Sequence, residues 1–271
     1  MNTSAANKTL VSAQTYFYNG ITGLLACNVF VSLHANVYIV WQRVYGAGGA
    51  VVSELFALNL AVSEIIFCLS SLYVMIQIVL KKTMSTAMLV LQCFIQLMFI
   101  SRPVFQSCIC LERYLAAVHP TTYLRVKPLR YRLLCCVLDW LLVLLYSIVP
   151  TFTLSNTQSA CLVMSNSLLF LLLMLFCGVR VLFLLRQPGP SDRGGHHRMK
   201  RKAFKVIVIN LVFTSSTQLL RVFLLGPTLL CASQLILMQI MLVVMAINII
   251  SGYITPLLLL HRAGKMPCIK F

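Results

Sequence analysis

Residues 108–132 read CICLERYLAAVHPTTYLRVKPLRYR. An apolar run ends on Glu112, Arg113 and Tyr114, passes Pro120 and collects Arg125, Lys127, Arg130 and Arg132 before turning apolar again at Leu133. A short basic loop between two apolar segments is the pattern of two membrane-crossing helices joined on the cytoplasmic side.

Composition points the same way. The 271 residues are 60% hydrophobic and only 10% charged, with a mean hydropathy of +0.91. A soluble domain of this length needs a charged surface that this chain cannot supply, so the bilayer is its expected solvent. Only five residues are acidic: Glu54, Glu64, Glu112, Asp139 and Asp192. Against 22 Lys and Arg they leave a net charge of +17. The bases cluster in short loops, which fits lipid headgroups and membrane orientation rather than nucleic acid. Most of the eleven cysteines lie in apolar runs, where cysteine is a small core residue. The start of the chain lacks the apolar core of a cleavable signal peptide.

Seven apolar segments are expected to span the membrane, at about 18–42, 51–80, 86–114, 133–153, 166–186, 203–226 and 234–260. They divide the chain into an extracellular tail (1–17), a seven-helix domain (18–260) and a short cytoplasmic tail (261–271). Sixteen of the 22 bases fall in loops on one side, which the positive-inside rule assigns to the cytoplasm. The glycosylation signals at Asn2 and Asn7 then lie outside, with the N-terminus. The expected fold is an all-α membrane protein, a seven-transmembrane helix bundle with its C-terminus inside.

No catalytic motif is readable, and the histidines lack partners at metal-ligand spacing; His196 and His197 read as part of a loop. No cofactor is implied. Polar residues inside the spans are the candidates for function, because each costs free energy in hydrocarbon. They include Asn36, Asn59, Glu64, Arg102, Asp139, Trp140, Arg221 and Asn248. Lone amides among them serve equally well as packing contacts between helices.

Taken in order, these residues resemble the rhodopsin-like (class A) G-protein-coupled receptors. The resemblance rests on Asn36 in span one, LNLAVSE in span two, LERYLAAVHP closing span three, Trp140 in span four and Pro256 in span seven. The loop wording is most similar to the purinergic and protease-activated branch. The resemblance implies a multi-pass plasma-membrane receptor whose partners are the lipid bilayer, an extracellular ligand and a heterotrimeric G protein. Lys81, Lys82 and Arg221 would favour an anionic ligand. Glu112 would restrain Arg113, and outward movement of helix six would let Arg113, beside Tyr114, meet the G protein. A receptor that has lost signalling is one alternative. A small transporter is another, although the half-helices or internal repeat expected of one are absent from the sequence.

The chain also departs from that family. Span seven reads Thr255-Pro256-Leu257-Leu258-Leu259, with leucine where the family has tyrosine, and span six has no proline. The resemblance leaves Cys161 to pair with Cys93 or Cys231, or to stay free, and Cys268 is a candidate for palmitoylation. In the family, the acid at the position of Glu64 holds a sodium ion with help from a serine at the position of Arg102. Counted from Glu54 and Arg113, Glu64 and Arg102 lie roughly 15 and 16.5 Å deep, nearly level. An ion pair between them, with the guanidinium in place of sodium, is therefore expected.

Overall fold

A computed structural model of the chain describes residues 3–45, 55–80, 84–186, 196–226 and 234–262. The first rod is α1 (Thr3–Cys27), a π-helical turn (Asn28–Leu33) and α2 (His34–Tyr45) in succession. It is followed by α3 (Leu55–Val79), α4 (Met84–Val118), the short α5 (Pro120–Val126) and α6 (Leu129–Thr153). Then come α7 (Asn156–Arg186), α8 (His196–Leu225) and α9 (Gln234–Arg262), with no strand among the described residues. Each of the seven apolar segments corresponds to one long helical rod. Five are long and apolar enough to cross a membrane along their described length, and α8 and α9 carry shorter apolar stretches at Leu211–Leu224 and Gln239–Tyr253.

The helices outrun the apolar segments at several ends. The stretch between the fourth and fifth apolar segments, which contains SNTQSAC, opens α7. Ser155 N–H donates to Gln158 Oε1 at 3.0 Å and Gln158 N–H donates to Ser155 Oγ at 3.4 Å, a capping box that starts the helix at Asn156. His196 and His197 begin α8 rather than lying in a loop. The expected tail 1–17 is helical from Thr3 onward. Within the basic loop, Pro120 starts α5, where its missing N–H would have no helical partner anyway.

The bundle turns apolar side chains outward and buries both an apolar core and a polar cluster. Helix α4 is central and packs on α3, α6 and α7, while α7 packs on α8, α8 on α9 and α9 back on α1. Its most apolar stretch is 61% buried, against 22% for the peripheral α6, whose Leu134, Leu138, Leu141 and Leu145 face outward. Ile21, Leu25, Phe67, Met98, Phe99 and Val244 form the main apolar core. At the heart of the bundle, Ser63, Glu64, Ser101, Arg102, Gln106 and Asn248 are buried beside that core.

Asn2, Glu54, Lys81, Lys82, Asp192, Cys231 and Cys268 lie outside the described residues, as do the side chains of Asn7 and Pro256.

Candidate functional site

Two rods of opposite direction bring Glu64 of α3 and Arg102 of α4 face to face. Arg102 Nη2 donates to Glu64 Oε2 at 2.7 Å and its Nε donates to Glu64 Oε1, a two-pronged ion pair. Both side chains are buried, at 2% and 4% exposure. The third arm of the guanidinium, Nη1, donates to the backbone oxygen of Asn248 on α9. Gly252 lies one turn further along α9. A Cβ there would stand 2.5 Å from Arg102 Nη2 and 3.2 Å from Glu64 Oε2, so the absence of a side chain is what admits the pair. A cavity lined by Asn36, Ala57, Gln106, Ser251 and Gly252 borders the pair. Both carboxylate oxygens of Glu64 are committed to Arg102, so the residues present do not fit a sodium ion.

A second arginine joins the network from α8. Pro103 sits inside α4 and has no N–H, which leaves the carbonyl of Phe99, four residues earlier, without its helical donor. Arg221 Nη1 donates to that carbonyl at 2.9 Å, and its Nη2 donates to Asn248 Oδ1. Asn248 thus receives one arginine on its backbone and the other on its side chain, and its own Nδ2 donates to Val244 O at 2.7 Å. Four rods are tied together through four side chains, those of Glu64, Arg102, Arg221 and Asn248.

Magnitudes separate the two arginines. A guanidinium at mid-bilayer costs about 2.5–3.5 kcal/mol on the insertion scale. For Arg102 the paired carboxylate offsets that cost. Arg221 lies 5.0 Å over the Phe99 ring, a contact worth about 2 kcal/mol when desolvated. Its Nε, however, has no hydrogen-bond partner among the described residues.

At the far end of α4, Glu112 is engaged by Arg132 Nη2 from the start of α6. Arg132 is 5% exposed and also lies over the Phe56 ring, 6.0 Å from its centre. Arg113, half-buried, makes interactions of its own. Tyr114 packs edge-on against His119 and lies 3.3 Å from its Nε2 through the hydroxyl. The acid of the triplet is thus tied to the neighbouring helix, a link that the spacing of the triplet alone did not suggest.

Other marked residues have packing roles. Asn36 Nδ2 donates to Ser32 O at 2.9 Å, just past the π-helical turn. Trp140 Nε1 donates to Asn59 Oδ1 at 2.9 Å, tying α6 to α3. Cys108 Sγ donates to Asp139 Oδ2 at 3.3 Å. Cys93 and Cys161 are separate thiols. No group of three His, Cys, Asp or Glu is placed to hold a metal among the described residues.

The model of the 7 transmembrane receptor (rhodopsin family) matches residues 35–258, most of the chain. The chain belongs to that family. Members of the rhodopsin family are signalling receptors and not enzymes, and this chain is a multi-pass membrane protein. Its sequence is similar to human chemokine XC receptor 1, 28% identical over 209 residues that cover 69% of this chain and 60% of the relative. The chain therefore matches less than two thirds of that receptor's length. This likeness is to a chemokine receptor and lends no support to the purinergic and protease-activated branch suggested by the loop wording.

Glu64 and Arg102 were legible from depth alone. The part played by Arg221 and Asn248 was not, although one signal was present. A proline directly after Arg102 implies an orphan carbonyl at Phe99, and a donor to it has to come from another helix.

Proposed function

We propose that this chain is a plasma-membrane receptor that passes an extracellular ligand signal to a heterotrimeric G protein. The supporting observation is the last turns of α4, where Glu112 is held by Arg132 and Arg113 and Tyr114 come next on the helix that ends at Val118. In this family an acid–Arg–Tyr triplet at that place is the switch, and an ion pair to a neighbouring helix gives it two states that a ligand can weigh. The N-terminus would lie outside and the basic loops inside. Ligand would enter at the end of the bundle where α8 terminates.

The test is G-protein activation in cells, comparing wild type with Arg113→Ala at matched surface expression. Loss of basal or ligand-driven signal in the variant supports the reading. Signal unchanged by the substitution, or solute flux indifferent to it, rejects it.

One observation favours a second reading, a receptor that reaches the membrane without signalling. Helix α8 runs 30 residues without proline, and Arg221 fastens it to α4 and α9. Such a helix lacks the usual cause of a kink. Wild type silent in the same assay across all G-protein classes, with normal surface delivery, would favour this reading.

A further inference from the structure

The inner polar network is one negative charge short. Arg102 and Arg221 are both buried within it, and Glu64, the one carboxylate recorded there, is fully used by Arg102. The chain has only four other acidic residues that could serve as a counterion. Glu112 holds Arg132, and Asp139 accepts from Cys108. Glu54 and Asp192 lie outside the described residues, one and four positions in sequence before the first residues of α3 and α8. From His196 to Arg221 the helix alone covers about 37 Å. Among the described residues none supplies Arg221 with a carboxylate.

Two unused donors mark where a counterion would sit. Arg221 Nε and Asn166 Nδ2 are both buried without a hydrogen-bond partner among the described residues. A Cβ built on Gly178 would meet the Leu211 side chain, and one built on Gly226 would lie 4.0 Å from the Met164 methyl, so α7 and α8 run antiparallel with Met164 and Gly226 near one level. Asn166 is two residues past Met164, about 3 Å along its helix, and Arg221 is five residues before Gly226, about 7.5 Å. The two donors therefore stand within about 4.5 Å of one level, less than a helical turn.

We infer that Arg221, with Asn166, forms a binding site for a single carboxylate-type group of the ligand. One excess positive charge matches one monoanion, whereas a doubly charged phosphate would leave the network negative. The inference deepens the receptor reading and rests on it for the identity of the anion as an extracellular ligand. Binding at the site does not depend on coupling, so the two can fail separately.

The experiment is thermal unfolding of the purified full chain, with sodium acetate, butyrate or octanoate replacing sodium chloride at constant ionic strength. We expect the carboxylates to raise the Tm of wild type by several degrees in a saturable way and to leave Arg221→Gln unmoved. Without added carboxylate, Arg221→Gln should melt at or above wild type, because glutamine removes the charge and keeps an amide donor. Arg102→Gln should melt well below it. Asn166→Asp should raise the Tm in wild type and lower it in the Arg221→Gln background. A response of wild type indistinguishable from chloride for all three carboxylates would overturn the site. So would an Asn166→Asp effect of the same sign in both backgrounds. Carboxylate binding with signalling indifferent to Arg113→Ala would keep the site and reject the receptor reading.

Discussion

Arg221 of α8 donates at 2.9 Å to the backbone oxygen of Phe99, a carbonyl that Pro103 leaves without its helical donor. The arginine and the proline are thereby coupled without touching in sequence. Arg221→Ala orphans a buried carbonyl, a loss of about 1–3 kcal/mol. Pro103→Ala restores an N–H to α4 that can take the same oxygen. The double variant should therefore be more stable than the two single effects summed, by about 1 kcal/mol. Additive changes in unfolding temperature would show that the carbonyl is satisfied some other way.

The pair of Glu64 and Arg102 makes a second coupled test. Breaking a buried pair strands a charge and costs about 3–5 kcal/mol, so Glu64→Gln and Arg102→Ala should each cut surface delivery sharply. Together they should recover much of the loss. Sodium should have little influence on ligand binding to wild type. Additive losses, or clear sodium dependence, would argue against the guanidinium standing where the family holds its cation.

Gly252 carries a prediction of packing alone. A methyl group there meets the locked ends of Arg102 and Glu64, so Gly252→Ala should destabilise by about 1–3 kcal/mol. Gly23 has nothing within 4 Å of its built Cβ, and Gly23→Ala should be neutral or stabilising by up to about 1 kcal/mol. Thermal unfolding of both variants in one detergent gives the contrast, and equal behaviour would refute it.

At the end of α4 that carries the triplet, Arg132→Ala frees Glu112 and exposes the Phe56 ring. It should lower stability by about 1–3 kcal/mol and alter basal G-protein activation, whereas Arg113→Ala should remove activation with surface delivery intact. Basal activity equal to wild type in Arg132→Ala would mean that the link is structural only.

Orientation is open to direct chemistry. Glycans at Asn2 and Asn7 should give a mobility shift on glycosidase treatment, and protease added to intact cells should leave residues 187–202 uncut. No shift together with cleavage from outside would invert the topology.

The sequence alone determined that this chain is a bundle of apolar helices, because continuous apolar runs of about 20 residues suit helices, which cross hydrocarbon with every backbone bond satisfied within the segment. It also placed Glu64 and Arg102 at one depth, since rise per residue turns numbering into height. Helix ends were less legible. Ser155 and Gln158 cap α7 earlier than hydropathy implied, because capping is a local hydrogen-bond matter that hydropathy does not register. What only the tertiary structure decided is azimuth: which way each polar side chain points around its rod. That is why Asn248 receives both arginines, why Glu112 meets Arg132, and why Gly252 leaves room for the ion pair. Height along a helix follows from counting residues, but rotation about its axis is set by the packing of neighbouring helices, which no single segment contains.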